Sequence, residues 1–417
     1  MDFVRTLTVP AEAGVNMSQQ PTPPNSANEY DPTLPETFDS AHEEFARLRA
    51  QCPVAHSNAF EGFWAVTRYD DVLRILMDPQ MYITSVRNVV PGSSRTGRRP
   101  PLHLNPPEHT PYRRAIDRAL GGARVAAIEP ATRSIARELM QKFVALGEAD
   151  FIDEFASPLP AHVFSQWMGL TQAQTDVLWR TAKAYVKAWE AFDRASVAVA
   201  GDQLAKLAAE LIAERRRSPR DPQVDPTSSL LEGRDPEGQP LPEELLAGCV
   251  RQVLVVGLVA PPIVMGSIAV HLARDQQLQE QLRSDLALVP EAVEEFLRLY
   301  TPYRGFARTA RETVELQGRT IHPGEAIALV YASANRDESI FEAPDEFRLG
   351  RPNLRQHLAF GRGPHMCAGV PLARQQLRIA LEELLMQTRS FELSGDIKMS
   401  GMPEIGPIAV RLRTVAA

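Results

Sequence analysis

HLAFGRGPHMCAG, residues 357–369, runs straight into an amphipathic segment, Pro371 to Gln387. A lone cysteine is usually a small buried hydrophobe, and that reading suffices for Cys52 and Cys249. Cys367 sits differently. It lies at the start of a helix, where free N–H groups and the partial positive charge of the helix terminus favour a thiolate over a thiol. Glycines at 361, 363 and 369 let the backbone turn tightly and come close to a flat ligand, and Phe360 is placed to cover the sulfur side of that ligand. The stretch therefore reads as a thiolate loop.

The pattern F-x-x-G-x-x-x-C-x-G made by Phe360, Gly363, Cys367 and Gly369 resembles the haem-binding signature of the cytochromes P450. Upstream, Glu295-Phe-Leu-Arg298 is similar to the E-x-x-R of that family's helix K. A Glu and an Arg three apart share a helical face and can form a hydrogen-bonded ion pair. The resemblance runs from about Glu29 to the C-terminus and adds matches in the family's order. It implies Cys367 as the axial ligand of haem b (iron protoporphyrin IX), with Phe360 and Gly369 completing the loop. It also implies His109 and Arg113 in NPPEHTPYRR (residues 105–114), Arg308 and His365 as groups that bind the haem propionates. Basic side chains suit that task because a partly buried carboxylate needs charge-assisted hydrogen bonds. Arg351, in Leu-Gly-Arg-Pro, would join Glu295 and Arg298 in a structural cluster. The implied fold is mainly α with small β-sheets, the haem lying between a central helix I and the cysteine loop.

Composition is that of an ordinary globular protein: 44% apolar, 23% charged and a net charge of -7, which gives no general reason to expect nucleic acid or an anionic membrane as partner. Three widely spread cysteines argue against a disulfide framework and for a reducing, cytoplasmic setting. Residues 1–28, rich in Pro, Ser, Thr and Asn, read as a flexible tail ahead of one catalytic domain, residues 29–417. Val253 to Val270 is uncharged and nearly long enough to span a bilayer, but Pro261, Pro262 and Ser267 favour a helix through the middle of a large protein.

Helical periodicity is clearest in Ser40 to Arg49, Asp71 to Leu76, Ala126 to Leu146, Ser196 to Arg217, Glu243 to Ala273, Asp275 to Leu286, Pro290 to Leu299 and Pro371 to Gln387. Strand-like runs occur at Phe63 to Thr67, Arg311 to Leu316, Ile327 to Tyr331 and Ile408 to Leu412. Ser218 to Pro242 is polar and rich in Pro and Gly, so it reads as a mobile surface connection.

The chain departs from the family where proton delivery is expected. Helix I usually carries an acid followed by Thr; aligning Gly257 with the family glycine puts Val259 at the acid position and Ala260 at the alcohol position. Neither can pass a proton. Pro261 and Pro262 also lack the N–H groups that would bond the carbonyls of Gly257 and Leu258, so a kink is expected here.

The resemblance places a substrate pocket at the loop from Tyr82 to His103, at Leu258 and Val259, at Tyr303, Arg304 and Phe306, and near Met402 to Ile405. Arg304 is the candidate anchor for an anionic substrate. On the cysteine face, Arg114, Arg118, Arg362, Arg374 and Arg378 form a candidate basic patch for an acidic electron donor. The activity implied is monooxygenation of a small, mostly apolar molecule (hydroxylation, epoxidation or O/N-dealkylation), with O2 and electrons from a separate ferredoxin-type partner and its reductase. Peroxide-driven or otherwise atypical oxidation is the alternative within enzymes, and a non-catalytic haem-binding sensor is the alternative outside them.

Overall fold

The computed structural model describes residues 28–92 and 98–417. The expected tail lies outside the described residues, Asn28 excepted. Helices dominate, and four small sheets sit at their margins.

The largest sheet has five strands in the order Val54–Ser57, Phe63–Val66, Ala326–Leu329, Phe306–Ala310 and Tyr82–Ile83. Its neighbours are antiparallel except for the parallel pair Phe63–Val66 and Ala326–Leu329. The register sets Arg308 opposite Ile327 and Phe306 opposite Leu329. Because side chains alternate along a strand, Phe306 and Arg308 point to the same face.

Two helices fix the centre. Val289–Leu299 begins with Pro290 in its first turn and buries Val289, Ala292, Val293, Phe296 and Leu299, a stripe at helical spacing. Val370–Gln387 starts on Gly369, with Pro371 in its first turn, and buries Leu372, Leu377, Ile379, Leu384 and Leu385. Both pack into the main apolar cluster with Ile268, Ala269 and Leu272.

The Glu243 to Ala273 helix expected from periodicity is two helices, Glu243–Val256 and Ala260–Arg274. Gly257 caps the first, and the Leu258 N–H turns back to the carbonyl of Val255 at 3.0 Å. A full break replaces the expected kink because Pro261 and Pro262 begin the second helix, where their missing N–H groups cost least. Glycine is required at 257 by contact: a Cβ there would lie 2.1 Å from the Phe164 ring. By length and composition Glu243–Arg274 would cross a membrane, yet it is mostly buried inside the protein.

Ser218 to Pro242 is not the free connection expected. Its middle folds into a short helix, Pro226–Leu231, with Thr227, Ser228 and Ser229 buried. The anchor is Arg215, fully enclosed, whose Nε donates to Asp225 at 2.9 Å while Asp225 caps the Ser228 N–H at 2.7 Å. A buried cation needs such a partner, and the ion pair pulls the loop inward.

His271, at the far end of the central segment, packs on Phe296, Tyr300 and Phe347 and shares a 2.7 Å hydrogen bond with the Tyr300 hydroxyl. Burial holds its imidazole down to about 4. The unfolded chain therefore takes a proton below about 6.5 that the folded chain refuses, and stability falls as pH drops from there toward 4, by about 1.4 kcal/mol per pH unit. Between pH 7 and pH 5 this one residue should account for about 2 kcal/mol of lost stability. Urea unfolding of His271→Asn at both pH values should show a pH-dependent loss smaller by that amount; an unchanged difference would remove His271 as the cause.

Candidate active site

The thiolate loop is closed by its own backbone: the Cys367 N–H donates to the Phe360 carbonyl at 2.9 Å. Gly361 and Gly363 have φ of +67° and +71°, and a Cβ on Gly363 would come within 2.5 Å of the Leu76 carbonyl oxygen. The turn therefore needs glycine on both conformational and steric grounds. Arg113, expected to bind a haem propionate, instead spends Nη1 on the carbonyls of Pro364 (3.1 Å) and Met366 and Nε on Asp117 (2.8 Å), and so braces the loop. Cys367 is accessible although it lies deep in the protein, as a residue in the wall of an open cradle must be. Burial pushes its thiol up, against the Gly369 backbone N–H and the charge of Arg113, which favour the thiolate.

Basic groups gather beside it. The rings of His109 and His365 lie 4.4 Å apart, and His365 Nε2 is 3.4 Å from the Thr84 hydroxyl. Burial depresses His109 to about 4 and His365 to about 2, so both imidazoles are neutral N–H donors near pH 7. His109 Nε2 is buried with no hydrogen-bond partner among the described residues. Arg308 is buried, donates to the Ala307 carbonyl at 2.8 Å, lies against Tyr331, and pairs with no carboxylate among the described residues. A buried guanidinium without a counter-charge and an orphaned imidazole nitrogen fit an anionic group, and the cysteine beside them fits a metal ion. Together these residues suit a flat, acidic, iron-bearing cofactor.

Glu295, Arg298 and Arg351 form one buried cluster. Arg298 donates to both oxygens of Glu295 at 2.8 and 2.7 Å, and Arg351 Nε adds a bond of 3.1 Å. The remaining donors of the two arginines go to backbone carbonyls of Asn335, Glu342, Pro344 and Glu346. The cluster thus fastens the irregular chain that leads to the thiolate loop. Asn335 extends it, accepting the Leu358 N–H at 2.6 Å.

A cavity of about 600 Å³ opens above the break in the central helix, within the usual range for small-molecule sites. Leu258, Val259, Tyr303 and Phe306 line it, as do Asn88, Val89, Arg99 and Leu102 from the loop between Tyr82 and His103. Positions 93–97 of that loop lie outside the described residues. Near the C-terminus Pro403 and Glu404 face the cavity, whereas Met402 and Ile405 are core residues. Ala260 and Pro261 start the second central helix and are not among the lining residues.

Arg304 must be corrected. It is 1% exposed, donates to Glu36 at 2.5 Å and to the Glu404 carbonyl at 3.0 Å, and contributes nothing to the cavity wall. Its charge is already neutralised, so it is not a substrate anchor. The basic patch is also reduced. Arg374 is held by Glu294 at 2.6 Å, Arg378 by Glu129 and Glu382, and Arg362 by the carbonyls of Gly361 and Arg355. Arg114 and Arg118 are exposed, Arg118 with Nη2 donating to the Ser229 carbonyl at 3.0 Å, and neither is paired with a carboxylate among the described residues; Met366 of the loop itself is exposed too.

Sequence reasoning missed the helix Gln172–Glu190, which supplies Trp179, Tyr185 and Trp189 to the cavity. It also missed Gln252. The signal for Gln252 was present: it falls three and seven residues before Val255 and Val259, on the face of the central segment that meets the cavity.

A thiolate loop, a cradle for an anionic flat group and an apolar cavity beside a broken central helix define a haem-thiolate oxidoreductase. Comparison with known proteins agrees. The cytochrome P450 family model matches residues 264–404. Cytochrome P450 107B1 of Saccharopolyspora erythraea is 32% identical over 389 residues, 88% of this chain and 92% of its own. Linalool 8-monooxygenase of Pseudomonas putida is 30% identical over 84% of this chain and 90% of its own. Among solved structures, cytochrome P450 CYP109Q5 from Chondromyces apiculatus superposes with a TM-score of 0.84 at 28% identity, covering 93% of this chain and 98% of that one. The chain belongs to the cytochrome P450 family and is an oxidoreductase of the monooxygenase type, with haem b as its cofactor.

Proposed function

We propose that the protein is a cytoplasmic monooxygenase that oxidises a small, mostly apolar organic molecule by hydroxylation, epoxidation or dealkylation, using O2 and electrons from a separate ferredoxin-type partner and its reductase. The cavity carries this reading: where it meets the broken central helix its wall is Val255, Leu258, Val259, Pro262 and Ile263, faced by Tyr303 and Phe306. Cys367 would hold the haem iron, while His109, His365 and Arg308 would hold its propionates, with Arg113 bracing the loop. When bound, the haem supplies the O2 and electron chemistry, with the thiolate favouring O–O cleavage.

The protein's own contribution is binding, orientation and exclusion of water. Tyr303 and Phe306, with ring centroids 4.4 Å apart, form an aromatic wall, and Phe306 opens the strand that also carries Arg308, which ties substrate position to the cofactor cradle. Arg114, Arg118 and the exposed Met366 on the cysteine face provide a docking site for an acidic donor, its charge set by the two arginines. Anaerobic titration of the reduced protein with CO, followed by product analysis for a panel of neutral terpenoids with a ferredoxin system, tests the reading. A thiolate-type CO spectrum without product from any electron source would overturn the catalytic part.

Protons must travel without side chains at the usual positions. Val259 and Ala260 have nothing to give, and the prolines leave the carbonyls of Gly257 and Leu258 without helical donors, free to hold a water or a substrate hydroxyl. Positioned proton transfer contributes on the order of 100-fold or more to such steps. The double substitution Val259→Asp, Ala260→Thr is therefore expected to raise product formed per electron pair, by about threefold or more. Unchanged or poorer coupling would show that protons arrive by another route, and that the absent pair does not limit turnover.

A further inference from the structure

We propose that Asn88 and Gln252 form a two-point polar anchor in the cavity. It would select a neutral substrate that carries a hydrogen-bond acceptor and a hydroxyl or N–H donor on an otherwise apolar frame. The inference rests on the monooxygenase reading and narrows its substrate class.

Both residues line the cavity, and both are more than nine-tenths buried, at 6% and 8% exposure. Asn88 Nδ2 and Gln252 Oε1 are buried with no hydrogen-bond partner among the described residues. Native proteins rarely leave such atoms unmatched, because each has lost water and gained nothing. Here one is a donor and the other an acceptor, so a ligand that carries both functions can satisfy them.

Their supports are rigid. The Asn88 carbonyl accepts the Ala307 N–H at 2.9 Å, and Val89 bridges to Phe306, so Asn88 is tied to the strand that holds Phe306 and Arg308. Gln252 sits in the helix Glu243–Val256, on the stripe that continues through Val255 to Val259. Gln252 lies in the last turns of that helix and Val259 just past the break, so the two mark separate stretches of the cavity wall, and Gln252 can hold one end of a molecule while the other end meets the oxidising centre. Trp189 Nε1, a second buried donor without a partner, faces the same cavity from across the aromatic helix.

Neutrality follows from the chemistry of the pair. Neither amide carries a charge, so neither can offset the desolvation of an ionised group, whereas both can match a neutral dipole. Of the cations on the cavity wall, Lys183 is paired with Asp153 at 3.0 Å, Arg99 Nη2 meets His103 at 3.3 Å, and Lys187 and Lys398 are exposed to solvent. The anchor is therefore a dipolar reader. Such sites reject analogues lacking the matching group, because their own polar atoms are then left unpaired.

The test uses iron-coordinating phenylimidazoles on the haem-loaded protein, so that the optical shift reports binding whatever the natural substrate is. Each probe carries, at the far end of the ring, either a carboxamide or its near-isostere isopropyl, attached directly or through one or two methylenes. At one spacer length the carboxamide should bind about 10-fold tighter than the isopropyl probe. Asn88→Leu and Gln252→Met should each reduce that ratio to within about threefold, through loss of one hydrogen bond. A ratio near one at every spacer length, or a ratio that survives either substitution, would overturn the anchor and leave the two amides as groups satisfied by water. Turnover of an apolar terpenoid by the same preparation speaks to the monooxygenase reading separately, since it needs no polar group on the ligand.

Discussion

Cys367→Ser is expected to abolish oxygenation while leaving the chain able to fold and to bind haem weakly. The cradle holds its cofactor through several independent contacts, so loss of the sulfur removes one ligand and leaves His109, His365 and Arg308 in place. The loop itself does not depend on the sulfur: its closing bond is the backbone pair from Cys367 N–H to the Phe360 carbonyl, and its turns are set by Gly361 and Gly363. What disappears is the electron push of a thiolate, for which a neutral hydroxyl is no substitute. The reduced, CO-bound variant should lack the red-shifted Soret band of thiolate ligation, and product should fall below detection with any electron source. Its urea midpoint, measured without haem, should stay near that of the parent, because the side chain is accessible and a thiol and a hydroxyl differ little in size. If the variant kept both the thiolate-type band and product, Cys367 would not be the axial ligand.

Where the chemistry is local, the sequence was enough. The thiolate loop compresses ligand, glycine turns and helix start into residues 357–369, and the Glu295 to Arg298 pair needs only one turn of helix. Arg351 reaches the same carboxylate from 56 positions away, and only the resemblance to a family suggested it. Charges whose partners are distant in sequence were harder. Arg304 looked like an anchor because its neighbours Tyr303 and Phe306 line the pocket, yet strand and loop geometry turn it the other way, onto Glu36. Ser218 to Pro242 looked mobile because its composition is polar, yet the buried Arg215 draws Asp225 inward.

The break at residues 257–259 was legible as a disturbance but not in its extent. Propensity alone permits a kinked helix over two prolines. The Phe164 ring packed on Gly257 and the Leu258 turn hydrogen bond add the tertiary terms that separate the halves. Polar atoms such as Asn88 Nδ2 carry no sequence signal at all. An asparagine in a loop is usually a turn residue, and only the surrounding cavity shows that this one lacks a partner.

Glu295→Gln should be the most damaging substitution away from the iron, and its effect should be on folding rather than chemistry. The carboxylate is fully buried and receives Arg298 Nε at 2.8 Å, Arg298 Nη2 at 2.7 Å, Arg351 Nε at 3.1 Å and the Arg348 backbone N–H at 3.1 Å. One negative charge thus faces two guanidinium groups. Glutamine keeps the shape but offers no charge and turns an NH2 group toward donors, so two cations are left buried against carbonyl dipoles alone. Breaking a buried pair in this way costs about 3–5 kcal/mol, a large part of the roughly 5–15 kcal/mol that holds a typical domain together. The same arginines bind the carbonyls of Asn335, Pro344 and Glu346, and Asn335 holds the Leu358 N–H at the entrance of the thiolate loop. Loosening the cluster therefore displaces Cys367 as well as lowering stability. Glu295→Gln should yield little haem-loaded protein, while Glu346→Gln, whose partner Arg348 is on the surface with it, should shift stability by less than about 1 kcal/mol. Glu295→Asp separates charge from reach: it should recover part of the yield if neutralisation matters most, and none if the bidentate geometry does. Wild-type yield and urea midpoint in Glu295→Gln would mean that the cluster does not fasten the loop.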